Sequence, residues 1–212
     1  MRIINKILLP FATLTLSISA HSHDYNNGYT PEYGWDTNHP ELIEYARDNK
    51  DSIMRISNVV FKNGNQYLPY IYEVANEFGV PREVAVVAAI ESAFNPNAIS
   101  HAGATGMWQF MKETGRDMGL SDNDRKDWRK STRAAIAYIQ WLSEKFNGNY
   151  ELAIIAYNGG IGKVSRNIQR LESDDPWFLL KFGDFKQETK DYLPKFISYM
   201  HYYYDTKGER ID

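Results

Sequence analysis

The residue with the clearest capacity for chemistry is Glu91, which follows the apolar run Val84 to Ile90. On a helix of 3.6 residues per turn, Glu91 shares one face with Val87 and Ala88, so its carboxyl group is directed toward the apolar side. Burial and the negative end of the helix dipole both disfavour the carboxylate and raise its pKa. A carboxyl group that keeps its proton near neutral pH can act as a general acid. The alternative is a frayed helix end that leaves Glu91 in solvent.

Further segments follow Glu91 in a fixed order. They are 91–100 (ESAFNPNAIS), 103–111 (GATGMWQFM), 156–160 (AYNGG) and 187–195 (QETKDYLPK). Together they resemble the lytic transglycosylases with a lysozyme-like catalytic domain, and in particular the membrane-bound lytic murein transglycosylase D type. The resemblance runs from about Tyr67 to about Tyr204. It implies a peptidoglycan lyase that cleaves the β-1,4 bond between N-acetylmuramic acid and N-acetylglucosamine and leaves 1,6-anhydromuramic acid ends.

The resemblance also assigns roles to single residues. Glu91 would protonate the glycosidic oxygen and then, as a carboxylate, take a proton from the sugar's own C6 hydroxyl, so neither water nor a second acid is needed. Ser100 would donate or relay a hydrogen bond to the acid, and Gln109 would bind N-acetyl or hydroxyl groups. Tyr157 would hydrogen-bond near the acid, and Asn158 would hold substrate or the helix end. A turn serine and a plain helix cap are the alternatives for Ser100 and Asn158.

Other positions complete the expected substrate cleft. Met111 and Tyr192 are expected as apolar walls, with a core role as the alternative, and Glu188 as an acid near the sugar or its peptide, with a surface charge as the alternative. Ser92 should satisfy carbonyl groups at the helix end or in the loop over the site. Trp108 stands between glycine and glutamine, where related enzymes often have a smaller residue, and is expected to reshape a subsite.

The sequence leaves two other functions open. One is a muramidase that hydrolyses the same bond with water. The other is a weakly active wall-binding component of a secretion or conjugation apparatus, although a pure binder would not need the acid. No metal-binding or phosphate-binding motif is evident, so no cofactor is expected.

Composition narrows the class of protein. The chain has 212 residues and a formal net charge of −3, which suits one domain with a leader and argues against a nucleic-acid partner. Aromatic residues make up 14% of the chain, and their flat apolar faces suit sugars, although most will be ordinary core. There is no cysteine, which excludes disulfides, thiol catalysis and a lipid-attached N-terminus.

The first residues predict export. Residues 1–22 combine Arg2 and Lys6 with an apolar stretch and small residues, which is typical of a signal peptide cleaved after Ala20 or Ser22. A retained N-terminal anchor is the alternative. We therefore expect a periplasmic or secreted protein without a stable membrane anchor after cleavage. Its partners would be peptidoglycan glycan strands and, as an open question, a cell-wall or secretion-apparatus protein.

The predicted architecture is mainly α, of the goose-type lysozyme and soluble lytic transglycosylase class, with at most a very small β element. Residues 23–64 should form a lead-in and one amphipathic helix, 65–205 the catalytic domain and 206–212 a tail. Apolar periodicity and breakers predict helices at 67–78, 81–91, 108–118, 131–146, 151–157, 161–171 and 188–205. Pro194 predicts a kink or break in the last of these. His21, His23 and His39 could form a weak metal-binding tract, with a solvated tail as the alternative.

Overall fold

The computed structural model describes residues 35–206, apart from the side chains of Ile56, Asp205 and Thr206. The expected signal peptide, His21, His23 and residues 207–212 lie outside this range. Within it, the regular structure is helical, and β structure is confined to isolated bridges that join Thr105 to Ile99 and to Phe110. This confirms a mainly α architecture with a very small β element.

Two helices stand where the sequence predicts one amphipathic helix. Helix α1 spans Pro40–Asp48 and α2 spans Lys50–Gly64, so the predicted stop at Gly64 is confirmed and the predicted continuity is wrong. Asn49 separates them because its backbone N–H and its side-chain amide both donate to the carbonyl of Tyr45. Asparagine commonly competes in this way with the helical hydrogen bonds of the backbone.

His39 caps the start of α1. Its Nδ1 accepts from the backbone N–H of Glu41 at 3.3 Å, and its ring stacks on Trp177 with centroids 4.3 Å apart. Of the three histidines in the proposed metal-binding tract, the one that the structure describes therefore has a capping and packing role.

The acid-bearing helix lies at the centre of the core. Helix α3 spans Leu68–Phe78 and ends at Gly79, whose φ of 64° closes the helix as predicted. A 3₁₀ turn at Arg82–Val84 leads into α4, Ala85–Ser92. Residues 84–88 of this segment are fully buried, and α4 contacts α2, α3 and the last helix. The apolar run before Glu91 is therefore core on every side.

Helix α4 ends at Ser92, within one residue of the predicted end at residue 91. Ala93 and Phe94 both take left-handed backbone conformations, with φ of 53° and 60°, so the helix stops before Pro96 is reached. Phe94 then turns inward and is 2% exposed. A Cβ on Gly64 would lie 2.5 Å from the Phe94 ring, so the end of α2 must be a glycine for the ring to fit.

The remaining helices close the domain. They are α5 (Lys112–Asp117), α6 (Trp128–Lys145), α7 (Tyr150–Gly159), α8 (Ile161–Leu171), α9 (Pro176–Phe182) and α10 (Gln187–Thr206). The bounds of α8 confirm the prediction. The sequence patterns did not predict α9, although Asp175 caps it and Pro176 occupies its first turn.

Two details of these helices differ from expectation. Asp127 caps α6 by accepting from two backbone N–H groups, so the helix begins at Trp128 and not at the predicted Ser131, which is buried within it. Helix α10 continues through Pro194, so no break occurs there. Proline is tolerated because α10 is packed along its length, with Leu193, Pro194 and Phe196 buried in the core.

Candidate active site

Glu91 sits at the last turn of α4 with most of its side chain withdrawn from solvent. Burial raises the pKa of Glu91 to about 7; the hydrogen bond from Tyr192 lowers it in part, the charge of Glu188 raises it and that of Lys195 lowers it. The alternative of a frayed, solvated helix end is therefore wrong. A carboxyl group with a pKa near neutrality can donate and reclaim a proton within one cycle.

Tyr192 contacts the acid directly. Its hydroxyl donates to Glu91 Oε1 at 2.6 Å, and the residue is 4% exposed. Burial and the neighbouring Glu91 carboxylate raise the pKa of Tyr192 well above its usual value, so the hydroxyl stays protonated. Tyr192 was expected as an apolar wall, but the structure makes it the hydrogen-bond partner of the acid.

Tyr157 lies beside the same carboxyl group. Burial first, and then the charge of Glu91, raise the pKa of Tyr157 well above its usual value. Its hydroxyl donates to the backbone carbonyl of Trp108 at 2.7 Å. Tyr157 therefore ties α7 to the loop between α4 and α5, and its hydroxyl proton is engaged by the backbone.

Trp108 is not a cleft residue. Its ring is fully buried, and its Nε1 donates to Thr132 Oγ1 at 2.9 Å on α6. The expectation that its bulk reshapes a subsite is wrong, because no face of the indole reaches the surface. Only its carbonyl serves the site, as the acceptor for Tyr157.

Ser92 fastens the loop to the helix that carries the acid. Its hydroxyl donates to the carbonyl of Met107 at 2.7 Å and accepts from the backbone N–H of Asn95 at 3.0 Å. This confirms the expected role in satisfying carbonyl groups of the loop over the site. The residue after the acid is therefore structural and faces the loop.

Gln109 and Ser100 belong to the loop itself. Gln109 takes a left-handed φ of 48°, and its Nε2 donates to the carbonyls of Gly106 at 2.8 Å and Ala98 at 3.3 Å. Ser100 Oγ accepts from the backbone N–H of Ala104 at 3.0 Å. Neither side chain hydrogen-bonds Glu91 within the described residues, so the direct bond expected for Ser100 is not formed. The Gln109 Oε1 and the Ser100 hydroxyl proton are the atoms that these bonds leave for a ligand.

Asn158 joins the site to α10. Its Oδ1 accepts from Thr189 Oγ1 at 2.7 Å, so it does more than cap a helix. A Cβ on Gly159 would lie 2.7 Å from Thr189 Cγ2, which explains the glycine after the asparagine. Glu188, next to Thr189, is exposed and acts on Glu91 through its charge.

Met111 lies at the edge of the loop, at the cap position of α5, and is 45% exposed. It is open to a ligand, and a core role is excluded. Its role as a cleft wall remains a prediction.

Sequence reasoning missed Lys195 and Thr189. Lys195 lowers the pKa of Glu91 through its charge, and Thr189 binds Asn158. A signal was available for Lys195, since residues three or four apart on a helix share a face and Glu188, Tyr192 and Lys195 have that spacing. Thr189 lies between two functional neighbours, and no local pattern distinguishes it.

The chain is similar to known proteins in sequence and in fold. Residues 69–178, more than half of the chain, match the family described as "Transglycosylase SLT domain". Membrane-bound lytic murein transglycosylase D of Escherichia coli K12 is 38% identical over an alignment of 141 residues that covers 61% of this chain and 30% of that protein. Membrane-bound lytic murein transglycosylase C of Actinobacillus succinogenes is 25% identical over 213 residues, covering 87% of this chain and 55% of that protein.

Solved structures agree in fold. The lytic transglycosylase Slt of Pseudomonas aeruginosa superposes with a TM-score of 0.61 at 26% identity, over 80% of this chain and 31% of that one. The soluble lytic transglycosylase Slt70 of Escherichia coli gives a TM-score of 0.60 at 21% identity, over 79% and 31%. The chain thus spans about a third of the length of the Slt and D-type proteins that it matches. The fold is the all-helical lysozyme-like one, and the chain belongs to the transglycosylase SLT domain family, within which it is similar to membrane-bound lytic murein transglycosylase D.

Proposed function

We propose that this protein is a peptidoglycan lytic transglycosylase in which Glu91 is the single acid and base. The observation that carries the proposal is the Glu91 carboxyl, largely buried, hydrogen-bonded by Tyr192 and with its pKa raised to about 7. Membership of the transglycosylase family supports the reaction class. The solved Pseudomonas aeruginosa relative is an inactive variant in which a glutamate is replaced by glutamine, which agrees with an essential glutamate in that protein.

The proposed reaction needs one carboxyl group. Protonated Glu91 gives its proton to the glycosidic oxygen as the bond from that oxygen to the anomeric carbon of N-acetylmuramic acid breaks, and the substrate's N-acetyl oxygen stabilises the developing positive charge. The C6 hydroxyl of the same sugar then bonds to the anomeric carbon and gives its proton to the Glu91 carboxylate. The acid is restored, and the product is a 1,6-anhydro end. Because the nucleophile is intramolecular, its attack has a high effective concentration.

The surrounding groups fit this cycle. The Tyr192 hydroxyl can donate to the carboxylate and can accept from the protonated acid, so Glu91 has a partner in both of its states. The positive charge of Lys195 favours the carboxylate, which must form when the first proton leaves. Both groups lie on α10, which faces the end of α4.

Substrate binding is assigned to the loop and to the end of α7. Gln109 Oε1 would accept from an N-acetyl N–H or a sugar hydroxyl, and the Ser100 hydroxyl would donate to an acceptor of the sugar. The Asn158 amide nitrogen would act beside them, while Met111 would present an apolar wall. Glu188 would lie near the amine or hydroxyl groups of the stem peptide or sugar.

Hydrolysis of the same bond is the second candidate, and Glu188 is the reason to retain it. Its charge is close enough to raise the pKa of Glu91, so a second carboxylate faces the acid. In a two-carboxylate mechanism that group would activate water. We favour the single-acid route because Glu188 is exposed and stands on the family segment proposed to contact substrate. A purely wall-binding role is disfavoured because binding alone gives no reason to bury an acid.

The proposed location is the cell envelope. Export would depend on the predicted signal peptide at residues 1–22, and the named relatives are membrane-bound murein enzymes. None of the helices within residues 35–206 combines the length and apolarity required to cross a bilayer. The proposed partner is the peptidoglycan glycan strand; a protein partner in the wall or in a secretion apparatus is left open.

Mass analysis of released muropeptides tests the proposal. Purified protein incubated with peptidoglycan should release fragments ending in anhydromuramic acid, lighter by one water than hydrolysed ends and without a reducing group. Glu91→Gln should lower this release by about 10²–10⁴-fold and should keep the helical circular dichroism of the wild type. Reducing ends from the wild-type protein would favour the muramidase, and release of neither product would leave the binding role.

A further inference from the structure

Arg125 is a buried cation beneath the loop that carries Ser100 and Gln109. It is 8% exposed, although it lies in the polar connection between α5 and α6 where residues 121–123, 126 and 127 are exposed. Burial of an arginine carries a large desolvation cost unless its N–H groups are paired. Its partners therefore indicate what the burial achieves.

Those partners are at both ends of one turn of the loop. Arg125 Nη1 donates to the carbonyl of Phe110 at 2.9 Å and to the carbonyl of Gly103 at 3.2 Å. Arg125 Nη2 lies 3.6 Å from Asp122 Oδ1, which compensates part of the charge. The two N–H groups of Nη1 thus join the two ends of the 103–110 turn, while Nη2 faces Asp122. A lysine side chain is shorter and has one nitrogen for all three acceptors.

Arg125 also packs closely against two glycines, one in the loop and one on α5. A Cβ on Gly106 would lie 1.8 Å from the Arg125 carbonyl oxygen, and a Cβ on Gly115 would lie 2.9 Å from Arg125 Cδ. Both glycines are buried. The loop and the 120–127 connection therefore pack without space for any side chain between them.

We propose that Arg125 is a positioning residue that fixes the orientation of Gln109 for substrate binding. Gln109 directly precedes Phe110, and its strained φ of 48° is held by the 103–110 turn. With its Nε2 bonded to Gly106 and Ala98, the direction of Oε1 depends on the shape of that turn. This inference rests on the proposed function, since it names how the substrate site is kept in shape.

Arg125 should affect substrate binding and not proton transfer by Glu91. The groups that act on the Glu91 carboxyl come from α10, and Arg125 is not among them. Loss of Arg125 should therefore weaken substrate binding while leaving the pH profile of the acid unchanged.

Arg125→Lys provides the test. We expect KM for a soluble glycan fragment to rise about tenfold, kcat to fall less than threefold, and the alkaline limb of the kcat/KM profile to keep its position. Combined with Gln109→Ala, the effects should be non-additive, with Arg125→Lys costing less than twofold in the Gln109→Ala background. A residue that merely stabilises the fold would lower activity equally in both backgrounds.

Arg133→Lys is the matched control, because Arg133 also forms a two-pronged contact, with Glu77, but on the exposed surface. It should leave KM unchanged and should change the melting temperature little, because an exposed ion pair contributes little to stability. If Arg125→Lys does not fold, Asp122→Asn decides, with an expected two- to threefold rise in KM. Unchanged KM in the folded variant, additive effects with Gln109→Ala, or a displaced pH profile would each overturn the proposal. If the wild type itself is inactive, the proposed function fails first, and the two failures are distinct.

Discussion

Glu91 and Glu151 are two largely buried glutamates with the same raised pKa and different surroundings. Burial is the largest cause in both cases and raises each pKa to about 7. Glu151 lies in the first turn of α7, is 8% exposed and accepts from the backbone N–H of Asp36 at 2.8 Å. Glu91 accepts instead from the Tyr192 hydroxyl. A perturbed pKa alone therefore does not identify the catalytic acid.

The hydrogen-bond partner distinguishes Glu91 from Glu151. A backbone N–H can only donate, so the Asp36 N–H can bond an oxygen of Glu151 in either protonation state but cannot accept the acid's proton. A hydroxyl can donate or accept, so Tyr192 can bond Glu91 before and after proton transfer. Glu151 also holds the segment that begins with Trp35, whose ring packs on Phe196 with centroids 5.0 Å apart. Its role is thus to dock the lead-in onto the core.

Paired glutamine substitutions give the largest expected contrast. Glu91→Gln removes the group that gives and takes both protons of the proposed mechanism and should lower release of anhydromuropeptides by about 10²–10⁴-fold. Glu151→Gln keeps an acceptor for Asp36 N–H and should stay within about twofold of the wild type, because it transfers no proton. Turnover of purified peptidoglycan by both variants measures the contrast. Equal losses would show that burial of a glutamate, and not its place in the cleft, controls activity.

The pH dependence of the free energy of unfolding should not distinguish Glu91 from Glu151, since burial raises the pKa of both to about the same value. Each has a folded-state pKa of about 7, above its ordinary value of 4.5, so the folded state holds the proton more tightly than the unfolded state. The stabilisation from each group is complete below about pH 4.5 and is lost as the pH rises to about 7.

Either glutamine variant should therefore gain at most about 3 kcal/mol of unfolding free energy relative to the wild type between pH 4 and pH 8. Denaturant unfolding at the two pH values, each fitted separately, measures the gain. A variant whose stability falls in parallel with that of the wild type would contradict the raised pKa of the group it removes.

The helical framework around Glu91 could be predicted from the sequence because its signals are local. The apolar run before Glu91, the closing Gly79 and the bounds of Ile161–Leu171 follow from periodicity and from residues with restricted backbones. The burial of the acid follows from the same periodicity. These features depend on neighbours within a few positions along the chain.

The loop over the acid could not be predicted in the same way. Ala93, Phe94 and Gln109 adopt left-handed conformations that are unusual for these residue types, and tertiary packing supports them. The donor to Glu91 comes from a residue 101 positions away, and Trp108 is placed by its bond to Thr132. Such contacts leave no periodic pattern, so the burial of Glu91 was predictable and the identity of its hydrogen-bond partner was not.

Tyr192→Phe sharpens the comparison by removing the partner that distinguishes Glu91 from Glu151. The hydrogen bond stabilises the carboxylate and lowers its pKa, so its loss should raise the pKa of Glu91 further above its value of about 7. The alkaline limb of the kcat/KM profile should move upward by the same amount, while the maximal rate falls about tenfold because the carboxylate formed in the first step has lost a donor. Tyr199→Phe, on the same helix, is the control and should leave the profile in place. A limb that moves to lower pH in Tyr192→Phe would mean that the hydroxyl stabilises the protonated form of Glu91. Tyr192 would then accept a hydrogen bond from the acid and would not assist the carboxylate as a base.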